Sequence, residues 1–230
     1  MDPQTLPAPA LELYDKIRKR YKRLAFEPLQ LGDIRLNLLK ITDLEQILDG
    51  RNPLEDVSAF PFWVKLWEAS IVLAEFLVRQ ELPENTRVLE LGAGLGAPSL
   101  AAAASGCRAT LTDYEETILD FGRVSAAASR IDNMEFRLLD WLKPPRLDPY
   151  DVVLGAEVLF REEFFEPLLQ TMDQCLKPDG VVYLAHDVRR QSLKPFLQMA
   201  EKEYRIAISR KRLRTLEEDR EILLTRLVRR

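Results

Sequence analysis

The sequence of 230 residues contains only two cysteines and one histidine, and both scarcities narrow the chemistry open to the protein. A single histidine, His186, argues against a histidine-based metal cluster and against a serine–histidine catalytic triad, so we expect no metal site. Cys107 and Cys175 lie far apart and form no Cys-x-x-Cys pair. So little cysteine is typical of a reducing compartment, and we expect a cytoplasmic protein.

Long hydrophobic runs are also absent. The apolar stretch SIVLAEFLV at residues 70–78 is interrupted by Glu75 and falls well short of a membrane span. Residues 1–16 lack the basic start and apolar segment of a secretory signal. Because 47% of the residues are hydrophobic, the composition is that of a globular protein with a normal core. From the lack of a long apolar run, we expect no membrane partner.

Basic side chains are concentrated near the two ends of the chain, although the net charge is −4. Residues 186–230 contain 13 Lys or Arg against 7 Asp or Glu, and residues 16–23 contain six basic side chains. Such clusters are compatible with binding to nucleic acid or to an acidic partner. A solvent-exposed helix face and a charged edge strand account for them more simply, and we favour that interpretation.

Residues 1–62 are predicted to form a helix and a β-hairpin that extend the main domain at its N-terminus. Helical spacing of apolar residues covers residues 11–25, which predicts the helix. Residues 27–39, EPLQLGDIRLNLL, alternate around a Gly-Asp turn and therefore predict the hairpin. The apolar side of its second strand consists of Ile34, Leu36 and Leu38. Residues 51–62 have the composition of a loop.

Residues 63–230 are predicted to form one α/β domain that begins with a helix. From residue 87 onward, apolar strands alternate with amphipathic helices, and this pattern requires a mostly parallel sheet with helices on both faces. The predicted strands cover residues 87–91, 108–113, 134–140, 150–157 and 181–187. The last two, in YRIAISRKRL and REILLTRLV, are joined by a turn too short for a parallel crossover, so they must pair antiparallel.

A glycine-rich turn follows the first strand of this domain. In VLELGAGLG, residues 88–96, Gly92, Gly94 and Gly96 lie between a strand and a helix, and Glu90 precedes them. Glycines at this place permit a tight turn and the close approach of a ligand to the backbone. The spacing lacks the third glycine of GxGxxG and the Lys-Ser/Thr of a P-loop, so the turn alone does not identify the ligand.

Polar and aromatic side chains end the next two strands. Asp113, followed by Tyr114, lies 21 residues after the first glycine, where a carboxylate can accept both ribose hydroxyls. Asp140 and Trp141 end the third strand and suit an adenine amino group and ring. Each acid also has a structural interpretation, since Asp113 can cap a helix and Asp140 can be a loop acid. Trp67, on the predicted helix that precedes the glycine turn, is a further candidate and can instead belong to the core. The succession of polar and aromatic side chains at strand ends favours a nucleoside cofactor.

Together these residues resemble the class I S-adenosylmethionine-dependent methyltransferases over residues 87–230. That resemblance implies a Rossmann-like, doubly wound sheet of seven strands, mostly parallel with an antiparallel C-terminal strand, and S-adenosylmethionine as cofactor. WEASIVLAEFL before the glycine turn, then LDW and GAEVLF, is similar to the seven-β-strand protein-lysine methyltransferases, which modify chaperones, elongation factors and the electron-transfer flavoprotein β subunit. The resemblance places cofactor contacts at Trp67, Gly92, Ala93, Gly94, Asp113, Trp141 and Ala156.

An acid-x-x-aromatic motif, Glu157 and Phe160, follows the fourth strand and matches the catalytic motif of that family. Many members have Tyr where this chain has Phe160, so no phenol hydroxyl is available there. We interpret Glu157 as a clamp for a lysine ammonium group, with Phe160, Phe62 and Trp63 around the channel. The alternative is that Glu157 caps a helix or pairs with an arginine.

Proteins with other functions could bind the same cofactor through the same strand-end residues. A small-molecule or RNA methyltransferase would differ only at the substrate face, and a non-catalytic cofactor-binding module would lack turnover. The Asn/Asp-Pro-Pro-aromatic motif of amino-directed base methylation is absent after the fourth strand, where GAEVLF stands. A dinucleotide oxidoreductase is disfavoured by the GxGxG spacing and the lone His186, which we interpret as structural. A protein substrate is therefore the expected partner, with nucleic acid less favoured.

Overall fold

The computed structural model describes residues 1–43, 61–214 and 219–230. The helices are α1 (Ala8–Arg20), α2 (Glu68–Arg79), α3 (Ala97–Ala104), α4 (Glu116–Ala128), α5 (Phe165–Cys175) and α6 (Leu193–Ala200). The strands are β1 (Leu24–Leu31), β2 (Ile34–Ile41), β3 (Arg87–Glu90), β4 (Arg108–Asp113), β5 (Met134–Leu138), β6 (Tyr150–Ala156), β7 (Leu176–Asp187), β8 (Tyr204–Leu213) and β9 (Arg220–Arg229). Within these described ranges, no helix is long and apolar enough to cross a membrane.

Seven strands form one sheet in the order β5-β4-β3-β6-β7-β9-β8. Strands β3 to β7 pair in parallel, whereas β9 pairs antiparallel with both β7 and β8. Strands β4 and β5 extend the sheet from β3 on one side, and the strands that follow β6 extend it on the other side. The carboxyl ends of β3 and β6 therefore form the crevice in which open α/β sheets bind their ligands. This topology confirms the predicted fold class.

Helices cover both faces of the sheet, and this is why the central strands are continuously apolar. One face packs under α5 and α6, with a core that includes Leu89, Val153, Leu184, Met172 and Phe196. The opposite face packs against α2 and α3, with a core that includes Leu73, Leu77, Val88, Leu154 and Ala185. The rigid sheet fixes the positions of the loops at its carboxyl edge.

The predicted N-terminal hairpin is present and packs on the main domain. Strands β1 and β2 pair antiparallel around the turn after Leu31, where Gly32 has a φ of +58°. The hairpin is joined to α4 by hydrogen bonds, because the Leu39 amide donates to Ser125 Oγ at 2.9 Å. A shared apolar cluster joins α1, β2 and α4, with Tyr14, Ile17, Tyr21, Leu39, Phe121 and Val124 among its members.

Some element boundaries differ from those predicted. The first helix covers residues 8–20 rather than 11–25, because Leu24 and Ala25 pair with Ile41 and Lys40 in the hairpin. Strand β7 begins at Leu176 rather than at residue 181. Most of the predicted loop at 51–62 lies outside the described residues.

Candidate active site

The glycine turn between β3 and α3 has a backbone that only glycine adopts without strain. Gly92, Gly94 and Gly96 have φ values of +60°, +54° and +72°, all in the left-handed region. A Cβ atom on Gly92 would lie 3.0 Å from the Trp141 ring, and one on Gly96 would collide with the Leu111 side chain. Both the conformation and the packing of the turn therefore require the glycines that the sequence places there.

Asp113 at the carboxyl end of β4 is bonded directly to this turn. Its Oδ2 accepts a hydrogen bond from the Gly94 amide at 2.9 Å, and its Oδ1 accepts one from the Tyr114 amide at 2.8 Å. Burial raises the pKa of Asp113 to about 6, while the two amide hydrogen bonds oppose this shift. A carboxylate has about four acceptor positions, so two remain for the hydroxyls of a ligand. The Tyr114 side chain beside it is 69% exposed.

Glu90 lies beneath the turn, fully enclosed by protein. Its Oε2 accepts a hydrogen bond from the Ser99 amide at 2.9 Å. Ser99 belongs to the first turn of α3, whose N-cap residue is Gly96 and offers no side-chain acceptor. Glu90 therefore supplies the acceptor that an N-cap side chain normally gives to a helix. Burial raises the pKa of Glu90 to about 8.

Trp141 connects the glycine turn to a group of aromatic side chains. The Trp141 ring lies against Gly92 and has its centroid 6.4 Å from that of Phe160 and 6.0 Å from that of Phe164. Phe160 is 49% exposed. Asp140, next to Trp141, is exposed and accepts a hydrogen bond from the Leu142 amide at 2.9 Å. Asp140 thus closes its own loop, and contact with an adenine group stays a prediction.

The carboxylate of Glu157 has protein partners on both oxygens. Oε1 accepts from the Asp187 amide at 2.6 Å, and Oε2 accepts from Arg190 Nε at 2.9 Å and also from a terminal nitrogen of the same guanidinium. The backbone of Glu157 has a φ of +55°, which is unusual for a residue with a side chain. Glu157 therefore forms the arginine pair that we considered as the alternative to a substrate clamp.

Arg190 was not among the site residues predicted from the sequence. A signal for it exists, because two arginines in DVRR directly follow the predicted strand VVYLAHD. Residues that follow a strand at the carboxyl edge of a parallel sheet lie near the ligand crevice. Nothing in the sequence alone identifies Glu157, 33 residues earlier, as the carboxylate with which this guanidinium pairs.

Trp67 and Glu157 line one open cleft of about 320 Å³. Trp67 precedes α2, and its Nε1 donates to the Phe62 carbonyl at 2.8 Å. Phe62 is 42% exposed, with its ring centroid 6.2 Å from that of Trp67. Trp63 instead packs inward, with its ring centroid 5.0 Å from that of Phe121. The prediction that Trp63 lies around the channel was therefore wrong.

The two small residues of the predicted site lie in the backbone framework around it. Ala93 is buried within the glycine turn, where its amide donates to the Thr112 carbonyl at 3.0 Å. Ala156 is half-buried at the end of β6 and pairs with Ala185 of β7. Contact of the cofactor with these two residues stays a prediction.

His186 is completely buried, and burial lowers the pKa of its imidazole to about 3. Neither ring nitrogen has a hydrogen-bond partner among the residues that the structure describes. The ring is therefore neutral at physiological pH, as a structural histidine would be. Over the same described ranges, no group of three or more histidine, cysteine or acidic side chains could hold a metal ion.

Known proteins are similar to this chain in sequence and in fold. A family model described as lysine methyltransferase matches residues 55–203. The protein N-lysine methyltransferase METTL21A of Xenopus tropicalis is 31% identical over 148 residues, which cover 62% of this chain and 68% of that protein. The mouse EEF1A lysine methyltransferase 3 is 32% identical over 133 residues, which cover 55% of this chain and 56% of that protein.

Some relatives are named for a different amino acid. The mouse histone-arginine methyltransferase METTL23 is 30% identical over 179 residues, which cover 74% of this chain and 65% of that protein. The chain thus spans between 56% and 68% of the length of these three relatives.

Solved structures share the fold at low identity. A precorrin-6y C5,15-methyltransferase from Geobacter metallireducens GS-15 has a TM-score of 0.60 and 16% identity, covering 74% of this chain and 92% of that chain. A ribosomal protein L11 methylase from Lactobacillus delbrueckii subsp. bulgaricus has a TM-score of 0.56 and 21% identity, covering 72% of this chain and 81% of that chain. The glycine turn and the strand-end acid fit the cofactor of such enzymes. The chain belongs to the lysine methyltransferase family, and the predicted use of S-adenosylmethionine is confirmed.

Proposed function

We propose that this protein transfers a methyl group from S-adenosylmethionine to the side-chain amine of a lysine in a protein substrate. The observation that carries the proposal is the juxtaposition of two features at one edge of the sheet. The glycine turn follows β3, Glu157 follows β6, and these two strands pair directly, with Glu90 opposite Leu154. A cofactor held by the turn would therefore present its methyl group near the cleft that contains Glu157.

The cofactor contacts are part of the proposal. Gly92 and Gly94 give the bare backbone that the amino-acid part of the cofactor requires, and Asp113 has acceptor positions left for the ribose hydroxyls. We assign the adenine to the neighbourhood of Asp140 and Trp141, and Trp67 to the opposite wall of the crevice. Buried acceptors and glycine backbone in this order are the usual means of nucleoside recognition in open α/β sheets.

The chemistry divides between the cofactor and the chain. When bound, S-adenosylmethionine supplies an electrophilic methyl group on a sulfonium. The amine nitrogen would use its lone pair to form the new C–N bond as the C–S bond breaks with its electron pair remaining on sulfur, and the methylated nitrogen would release one proton to solvent. The chain must hold the amine in line at about 3–3.5 Å from the methyl carbon. It must also favour the neutral amine, which costs about 4–5 kcal/mol for a free lysine at pH 7.

Aromatic side chains suit the aliphatic stem of a lysine. Phe160 and Phe62 are both about half exposed, at 49% and 42%. Such surfaces pack against methylenes and attract a cationic head through their ring faces. An extended lysine is long enough to reach past such side chains to a buried reaction centre.

A lysate from the source organism, incubated with the purified protein and radiolabelled S-adenosylmethionine, tests the proposal. We expect one or a few labelled bands that protease destroys and nuclease leaves intact. A Gly94→Val variant, added at the same concentration, is the control that measures the background labelling by the lysate's own enzymes. Label that nuclease removes, or that stays in the small-molecule fraction, would transfer the assignment to an RNA or small-molecule methyltransferase.

We propose a cytoplasmic location for the protein. Cys107 and Cys175 are both free and buried thiols, as is common in a reducing compartment. Fractionation of cells that express the tagged full chain tests the proposal. Recovery in an oxidising compartment would contradict it.

We propose that residues 1–62 complete the domain of residues 63–230 and do not fold separately from it. The support is the apolar cluster that α1 and β2 share with α4, since removing it would expose Phe121 and Val124, both fully buried. A chain that starts at residue 63 should therefore aggregate or melt well below the full chain in a thermal scan. Equal melting temperatures would show that the extension is dispensable for folding.

A further inference from the structure

Two loops at the carboxyl edge of the sheet are fastened together around Glu157. The loop after β6 carries the acid-x-x-aromatic motif, and the turn after β7 carries Arg190. The guanidinium of Arg190 holds the Glu157 carboxylate with two nitrogens, and Ser192 Oγ donates to the Leu159 carbonyl. The turn itself is closed by the Arg190 amide, which donates to the Asp187 carbonyl at 2.9 Å. The Glu157 side chain therefore has one defined orientation, with only 9% of it exposed.

All acidic side chains that line the cleft have basic partners. Glu68 lies 3.5 Å from Lys65, and Asp187 lies 2.8 Å from Arg189, in addition to the pair made by Glu157. The charged lining residues contributed by the four segments around the cleft are Lys65, Glu68, Glu157, Asp187, Arg189, Arg190 and Arg220. Four of the seven are basic, and His186 behind them is neutral. The lining is thus net positive.

This charge balance bears on the state of the substrate nitrogen. A carboxylate without a partner beside a lysine amine would favour its protonated form, which has no lone pair for methyl transfer. A carboxylate already paired with a guanidinium presents almost no net charge to its surroundings. Among the residues that the structure describes, the Asp187 amide is the one donor to Oε1 of Glu157, so this oxygen has an acceptor position left for one N–H of the amine. Such a contact can orient the nitrogen while the nearby positive charges disfavour its protonation.

We propose that Arg190 is a positioning residue that compensates the charge of Glu157, so that Glu157 aims the substrate amine without stabilising its protonated form. This inference rests on the proposed lysine methyltransferase function. It assigns Arg190 an effect on the pH at which transfer begins, in addition to any effect on the maximal rate.

The test is the pH dependence of the initial rate of labelled-methyl transfer from S-adenosylmethionine into the protein band that the wild type labels. The rate of the wild type should rise with pH to a plateau as the amine loses its proton. Arg190→Met keeps the aliphatic volume but leaves Glu157 without its compensating charge, so the midpoint should move upward by about one pH unit. Arg190→Lys, which keeps the charge, should keep the midpoint near that of the wild type.

Two controls separate charge compensation from a purely structural role. Lys194→Met removes one exposed positive charge from the neighbouring helix, outside the cleft lining, and should leave the midpoint unchanged. The double variant with Glu157→Gln and Arg190→Met has no carboxylate at position 157, so its midpoint should return toward the wild-type value even if its maximal rate is low. Cofactor affinity and melting temperature are measured for every variant. If Arg190→Met does not fold, Arg190→Gln gives the same comparison.

The possible results are distinct. An unchanged midpoint in Arg190→Met, with the rate lowered equally at every pH, would overturn the proposal and leave Arg190 as a merely structural residue. An upward shift that the double variant does not reverse would overturn it also, since the shift would then not depend on the Glu157 charge. If the wild type labels no protein band at all, the proposed function itself fails, and this inference fails with it.

Discussion

The Gly94 amide donates a hydrogen bond of 2.9 Å to the carboxylate of Asp113. This bond joins the glycine turn after β3 to the end of β4, although the two residues are 19 positions apart in the sequence. The acid proposed to bind the ribose and the turn proposed to admit the cofactor are therefore one rigid unit. Preorganisation of this kind reduces the conformational entropy that the protein loses when a ligand binds.

Replacing Asp113 with alanine should weaken cofactor binding by at least about tenfold, because hydrogen bonds to a charged acceptor contribute about 1.5–3 kcal/mol each. Isothermal calorimetry with S-adenosylhomocysteine measures the change. Asp148→Ala is the control, since it removes an exposed carboxylate that only approaches Arg87 at 3.6 Å. Equal affinities in the Asp113 and Asp148 variants would contradict the cofactor-site assignment.

Alanine variants of two glycines with almost the same φ distinguish the effect of backbone strain from the effect on ligand binding. Gly94 in the cofactor turn has a φ of +54°, and Gly32 in the N-terminal hairpin has a φ of +58°. Alanine at either position should cost about 1–2 kcal/mol of folding stability, since a Cβ atom disfavours left-handed backbone. Only Gly94→Ala should also weaken the binding of S-adenosylhomocysteine. Matching losses of affinity in both variants would show that general destabilisation, and not the turn, is responsible.

Much of the fold was predictable because its signals are local. Alternating strands and helices predicted the parallel sheet, and the small number of residues between the last two predicted strands predicted that they pair antiparallel. The end of α1 was not predictable from helical spacing, because Leu24 and Ala25 continue the apolar pattern but pair with the second hairpin strand. Strand formation there depends on a partner that the spacing does not describe.

The candidate site was predictable to the extent that strand ends are recognisable. Gly94 and Asp113 lie at consecutive strand ends, where a ligand crevice must form. The Arg190 partner of Glu157 was not predictable, because a side-chain pair between two loops depends on the tertiary positions of both. The inward position of Trp63 depends likewise on packing against Phe121, which comes from a distant helix.

Glu90 makes the stability of the cofactor-free protein depend on pH. Its pKa is about 8 in the folded protein, compared with an ordinary value of 4.5. The folded state keeps this proton where the unfolded state releases it, so the stabilising contribution is complete below about pH 4.5 and is lost as pH rises through 8. The loss by about pH 8 is on the order of 3–5 kcal/mol. Asp113, with a pKa raised from 3.8 to about 6, acts in the same direction.

A Glu90→Gln variant should remove most of this dependence, since glutamine resembles the neutral carboxyl and can still accept from the Ser99 amide. Thermal unfolding between about pH 5 and about pH 8 should show a flatter profile and a higher melting temperature at the alkaline end than the wild type. A variant that is less stable than the wild type at about pH 8 would show that Glu90 is charged in the fold.

His186 should produce the opposite dependence at acidic pH. Its pKa is lowered from 6.5 to about 3 in the folded protein, so the unfolded state binds a proton that the folded state excludes. Stability is therefore lost as pH falls from about 6.5 towards 3, by about 2 kcal/mol at about pH 5. His186→Leu should be more stable than the wild type at about pH 5, and this advantage should shrink towards neutral pH. Chemical denaturation at both pH values measures the difference, and an advantage equal at both would contradict the shift.

The role of Glu157 in transfer can be separated from its role in the fold. Glu157→Gly removes the carboxylate and at the same time relieves the strain of a left-handed backbone at a φ of +55°. Glu157→Gln retains a side chain that can accept from the Asp187 amide. Both variants should bind S-adenosylhomocysteine within about threefold of the wild type and yet lose at least about a hundredfold in the transfer rate. A fully active Glu157→Gln variant would show that the carboxylate is not needed.

The most direct test of the central claim is the identity of the amino acid that receives the methyl group. The protein band labelled by the wild type is excised, hydrolysed completely in acid, and separated against standards of methylated lysine and methylated arginine. We expect the label to migrate with methylated lysine, the band to be absent when Gly94→Val replaces the wild type, and the band to be at least about a hundredfold weaker with Glu157→Gln. Label that migrates with methylated arginine would overturn the proposed lysine specificity and assign this chain the activity for which its METTL23 relatives are named.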